Sequence, residues 1–139
     1  LVEEYHYPRR AIREASSSTT KLLLPDVEAT PADQQFLGRV VEALEEHLDN
    51  SRFGVEDLAY EVGLSARQLR RRLKDITGET PSSFLHRVRL ERAARLLEKQ
   101  TGSISQIAYS VGFRSPSHFS SAFKKKYEMS PTDYLGRTK

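Results

Sequence analysis

The chain has 139 residues, 37% of them hydrophobic, no cysteine and a net charge of +3. That length holds one compact domain with an appendage and no second large domain. The lack of cysteine excludes disulfides and thiolate metal sites and is in keeping with a reducing cytoplasm, and the longest apolar run, Leu22 to Pro25, is far too short for a membrane span or signal-peptide core. The charge is uneven: residues 1–50 carry −5 and residues 51–139 carry +8, and a basic half of this kind suits a surface that displaces counterions from a polyanion.

Residues 1–30 mix aromatic, Arg-rich and Ser/Thr-rich stretches without periodicity, and Ser16 to Thr20 is linker chemistry, so this part reads as a connector from an upstream domain. Thr30-Pro31-Ala32-Asp33 supplies an N-cap, a proline at the first helical position and an acid in the first turn. A helix over about 31–49 follows, with Phe36, Leu37, Val40, Val41, Leu44 and Leu48 on one face. A helix-turn-helix over about 55–76 comes next, Gly78 stops its second helix, and Thr80-Pro81 starts a long helix reaching about Glu98. A second helix-turn-helix spans about 103–127, and Ser130-Pro131-Thr132-Asp133 caps a short last helix. No convincing strand pattern appears. The expectation is an all-α fold of about seven helices, with two helix-turn-helix subdomains (about 31–80 and 101–139) joined by a linker helix at about 81–98.

The two helix-turn-helix segments are copies of one motif. Val55, Leu58, Ala59, Val62, Gly63 and Leu64 return 49 residues later as Ile104, Ile107, Ala108, Val111, Gly112 and Phe113. The small Ala lets two helices cross closely, and the Gly tolerates the backbone of a tight corner. Beyond the glycine the offset becomes 50, with Leu69 and Leu73 answered by Phe119 and Phe123, and Thr80-Pro81 by Ser130-Pro131. One extra residue therefore lies in the second copy, in its turn or at the start of its second helix.

At 100° per residue from Leu69, Arg67 and Arg71 fall at about 160° and 200°, facing directly away from the core. Arginine there can donate two hydrogen bonds to guanine O6 and N7, and Gln68 beside them can reach an adenine. Arg70, Arg72 and Lys74 flank this face as phosphate contacts. In the second copy the outward positions are Ser117, Ser121, His118 and Lys124, small and polar, with Arg114, Lys124 and Lys125 as phosphate contacts and the lysine run continuing to Lys126. The first copy is thus expected to carry most base discrimination, and the second affinity and register. The four histidines are scattered without metal-ligand spacing, and no phosphate-binding glycine loop or nucleophile elbow exists. Neither a metal, a cofactor nor catalysis is expected.

Residues 34–136 resemble the AraC/XylS family of bacterial transcription regulators. The carriers are Leu58-Ala59-x-x-Val62-Gly63-Leu64-Ser65, Leu69-x-Arg71-x-Leu73-Lys74, Thr77-Gly78-x-Thr80-Pro81, Arg89-Leu90-x-x-Ala93-x-x-Leu96-Leu97, Ile107-Ala108-x-x-Val111-Gly112-Phe113-x-Ser115-x-x-His118-Phe119-x-x-x-Phe123-Lys124 and Ser130-Pro131-x-x-Tyr134. The resemblance implies that each second helix enters the major groove of double-stranded DNA, at two elements about 10 bp, or about 34 Å, apart. It puts the base-touching positions on Arg67, Gln68, Arg71, Ser117, His118 and Ser121, in agreement with the helical geometry. It also implies RNA polymerase as a partner and dimerisation through a part of the full-length protein outside this chain. Glu128 departs from the family pattern, which has glycine there. The segment ahead of the domain is similar to junctions between phosphoacceptor receiver domains and AraC-type output domains of two-component proteins. A module binding an acidic protein partner, and no DNA, is the alternative that the basic charge leaves open.

Overall fold

The computed structural model describes residues 30–137, so the connector expected over 1–30 lies, but for Thr30, outside the described residues. Seven helices and no strand occur among them: α1 (Pro31–Glu46), α2 (Val55–Glu61), α3 (Ala66–Thr77), α4 (Pro81–Glu98), α5 (Ile104–Ser110), α6 (Pro116–Tyr127) and α7 (Pro131–Arg137). They group into two compact units. The first holds 30–47 and Phe53–His86; the second holds Leu48–Arg52 and 87–137.

In the first unit, α1 starts where its caps dictate. Thr30 Oγ1 accepts from the Asp33 amide at 3.1 Å and Pro31 occupies the first turn. The helix stops at Glu46, earlier than its apolar periodicity suggests, because the chain leaves the unit at Leu48. Both ends of that excursion are anchored: the His47 ring stacks on Phe53 at 4.5 Å, and His47 Nε2 lies 3.8 Å from Glu61. Phe36, Leu37, Val40, Val41 and Leu44 of α1 are buried with Leu58 and Ala59 of α2, Leu69, Leu73 and Ile76 of α3, and Phe84 and Leu85. Each of these side chains larger than alanine contributes roughly 1.5–3 kcal/mol of burial. α2, with seven residues, is too short to persist without this packing. After it, Gly63 takes φ 75° while the Leu64 amide donates to the Ala59 carbonyl at 2.9 Å, closing the corner.

The second unit repeats this scheme with larger side chains. Its α5–α6 turn has Gly112 at φ 91°, and the Phe113 amide donates to the Ala108 carbonyl at 3.0 Å. Where the first copy buries leucines, the second stacks aromatics: Phe113 on Phe119 at 5.2 Å, Phe119 on Phe123 at 5.6 Å, and Phe123 against Tyr127 and Tyr134 at 4.6 and 5.3 Å. Tyr134 Oη donates to the Glu98 carboxylate, tying α7 to α4. Burial pushes the Tyr127 phenol far above its ordinary value, with Glu91, Tyr134 and Glu98 adding to the rise and Arg87 opposing it. Arg92, on α4, is fully buried.

Both α2 and α5 have seven residues, and both α3 and α6 have twelve. The extra residue of the second copy is therefore in the turn: Ser65 caps α3 one residue after Leu64, whereas Arg114 intervenes between Phe113 and the α6 cap Ser115.

Candidate nucleic-acid interface

α3 is short and strongly two-sided. Leu69, Leu73 and Ile76 are buried, while Arg67, Arg70, Arg71 and Lys74 are exposed. Those four cations line one open groove together with Asp75 and with Thr80, Pro81 and Ser82 at the start of α4. Five-donor guanidinium forks beside a point-charge ammonium, in a concave surface bordered by a helix start, make a strongly anion-attracting site.

Two residues expected on this surface make contacts that the expectation did not include. Gln68 Oε1 accepts from the Ser65 amide at 2.9 Å while Ser65 Oγ accepts from the Gln68 amide at 3.1 Å, a reciprocal cap on the helix start. Gln68 stays exposed, but its carbonyl is oriented by the cap, which competes with the paired donor and acceptor contact that adenine requires. Arg72 is half-buried, with its guanidinium carbon 4.2 Å from the Phe36 ring centre. It packs on α1, away from the groove.

On α6, Ser117, His118, Ser121, Lys124 and Lys125 are exposed, as is Arg114 in the preceding turn. Ser115 Oγ accepts from the His118 amide at 3.1 Å without the reciprocal bond that Gln68 makes on α3, and the His118 ring lies edge-on to Phe113 at 5.6 Å. Lys126 parts company with its neighbours: its ammonium lies 3.7 Å from Glu91, itself 3.4 Å from Arg87, and 5.3 Å from the Tyr127 ring centre. It joins the packing of its own unit instead of extending the Lys124-Lys125 pair.

Arg89 and Arg92 lie on α4, outside the surfaces that the sequence marks for DNA. Arg89 Nη2 donates to the Asn50 carbonyl at 3.0 Å, and Nη1 makes a longer contact of 3.5 Å with the Gly112 carbonyl. Burial pulls the Arg89 guanidinium below its ordinary value, although arginine remains charged at neutral pH. The signal was present: Arg89 and Arg92 stand four residues after Leu85 and Val88, on the apolar side of α4.

Residues 58–137 match the family model described as a helix-turn-helix domain, and a solved AraC-type regulator from Chromobacterium violaceum superposes with a TM-score of 0.69 at 33% identity, covering 78% of this chain and 96% of that one. The chain belongs to the AraC/XylS family. Its place there is that of a helix-turn-helix DNA-binding domain of transcription regulators. Two further solved AraC-type relatives have a TM-score of 0.65. One is the DNA-binding domain of the global transcriptional factor AdpA in complex with a target DNA, 36% identical, covering 73% of this chain and 90% of that one. The other is the C-terminal domain of AraT, a response regulator from Geobacillus stearothermophilus, 30% identical, covering 79% and 87%. Among curated relatives, histidine kinase P4 of Formosa agariphila is 37% identical over 88% of this chain and 9% of its own length. The transcriptional activator RhaS of Klebsiella pneumoniae is 39% identical over 76% of this chain and 37% of its own length. The chain thus spans well under half the length of these curated relatives.

Proposed function

We propose that this AraC-type domain is the output end of a two-component signalling protein and reads two adjacent major-groove segments of promoter DNA, one with α3 and one with α6. The observation that carries the reading is the groove on α3 that Arg67, Arg70, Arg71 and Lys74 line together. Arg67 and Arg71, one turn apart on the outward side, are the base readers, each bidentate contact to guanine contributing roughly 1–3 kcal/mol of discrimination. Arg70 and Lys74 grip the flanking phosphates. Ser117, His118 and Ser121 meet the second segment with less selectivity, since a hydroxyl suits several bases, while Arg114, Lys124 and Lys125 anchor its backbone. Because the two outward faces differ, the element read by one chain is asymmetric, with its two parts about 10 bp apart.

The two-component link is supported by the similarity to a histidine kinase over 88% of the chain and to the C-terminal domain of a response regulator. Selection from random duplex DNA at physiological salt tests the DNA reading. Enrichment of a two-part element about 10 bp between centres is expected, and Arg71→Ala should relax preference at one guanine by about 1–3 kcal/mol. Weak, unselective binding by the chain would instead point to a module for an acidic protein partner.

A further inference from the structure

Three stretches of chain meet at one side chain in the second unit. The Arg89 guanidinium, on α4, bonds the Asn50 carbonyl at 3.0 Å and contacts the Gly112 carbonyl at 3.5 Å. Gly112 is buried, and a β-carbon there would lie 2.5 Å from the Leu48 carbonyl and 2.9 Å from both Cζ and Nε of Arg89. The turn that launches α6 is thus pressed, backbone against guanidinium, onto the segment that follows α1. The first copy has no such device: Gly63, in the matching corner, is exposed, and nothing lies within 4 Å of where its β-carbon would be.

The difference matters because the second turn is one residue longer. Only Phe113 and Arg114 separate Gly112 from the Ser115 cap, and Arg114 is exposed. A longer connection leaves the start of α6 less determined by its own corner, and α6 also lacks the reciprocal cap that holds the start of α3. The Gly112 carbonyl, just ahead of this stretch, is contacted by a side chain from another element.

We infer that Arg89 is a positioning residue for DNA reading: it fixes the α5–α6 turn and thereby the placement of the second recognition helix, without touching DNA. This rests on the proposed reading of two DNA segments. Its signature is a loss confined to one half of the site, which a general loss of stability would not produce.

The test uses the whole chain, a selected two-part duplex, and duplexes with either half scrambled. The half read by α6 is the one whose preferences change on replacing Ser117 and Ser121 by alanine. In the wild type, scrambling either half should weaken binding about tenfold or more. In Arg89→Met, scrambling the α6 half should cost less than about threefold, while the α3 half keeps its full penalty. Should Arg89→Met fail to melt cooperatively, Arg89→Lys, which retains the charge and can reach one carbonyl, carries the same comparison with an intermediate loss expected. A full α6-half penalty in the folded variant overturns the positioning role. A wild type with no two-part preference overturns the DNA reading itself, and the two failures are distinct.

Discussion

The guanidinium carbon of Arg72 lies 4.2 Å from the centre of the buried Phe36 ring, joining α3 to α1 on the side next to the core. A cation held this way stabilises by about 1 kcal/mol and also covers apolar surface with its stem. Arg72→Ala should therefore lower the melting temperature by a few degrees yet leave the salt dependence of DNA binding unchanged. Arg70→Ala should do the reverse, reducing the slope of log K against log salt by about one. Titrations at several salt concentrations decide it, and a reduced slope for Arg72→Ala would restore a phosphate contact.

The paired glycines of the two corners should differ in tolerance. Gly63 and Gly112 both have positive φ, so alanine at either costs about 1 kcal/mol of backbone strain. At Gly112 the added carbon also collides with the rigid Leu48 carbonyl, 2.5 Å away. Denaturant unfolding should show Gly63→Ala losing about 1 kcal/mol and Gly112→Ala clearly more. Equal losses would mean that the second corner yields easily.

Glu128 holds the left-handed position after α6, at φ 59°, that Gly78 holds after α3, at φ 79°. Its amide still donates to the Lys124 carbonyl at 2.8 Å, so the cap forms in spite of the side chain. A carboxylate at the negative end of a helix adds a further, smaller penalty. Glu128→Gly should raise stability by about 1 kcal/mol, a shift of several degrees in a domain of this size. A lower melting temperature would show that Glu128 makes compensating contacts.

Alkaline titration should find Tyr127. Burial, then Glu91, Tyr134 and Glu98, hold its proton in the folded state well past the point where the unfolded chain, titrating near pH 10, gives it up. Above about pH 10 the native state thus binds more protons than the unfolded one, and stability falls as pH rises. Tyr127→Phe should lose stability more slowly than the wild type above about pH 10, with the two curves parallel below it. Parallel curves throughout would place the phenol in water.

The helices were legible because their ends are written in a few neighbouring residues. Thr30-Pro31, Ser65, Ser103 and Gly78 cap or stop helices by local chemistry, and α4 runs from Pro81 to Glu98 as its signals require. The exposed cations of the α3 groove were equally accessible, since one angle per residue separates Arg67 and Arg71 from Leu69. Arg72 was misjudged although it stands only about 60° from Leu69 on that wheel, close enough to the core to pack there. The angle alone does not say that an aromatic ring from another helix waits beside it. Gln68 could have been recognised from Ser65-x-x-Gln68, whose reciprocal cap competes with base reading. The burial of Arg89 is legible in its place on the apolar side of α4, but its partner is not, because the Asn50 carbonyl is 39 residues away and carbonyls leave no mark in the sequence.

Arg114 lies between a corner and a cap, outside both flanking helices. One residue added inside α6 would have swung all later positions by about 100°, turning Ser121 toward the interior and Phe123 toward water. Inserted ahead of Ser115, it leaves the phase of the helix untouched. Tandem copies can therefore diverge in length only at such joints while keeping their outward letters in register, and a recognition helix transplanted between copies is best spliced at the serines that begin α3 and α6.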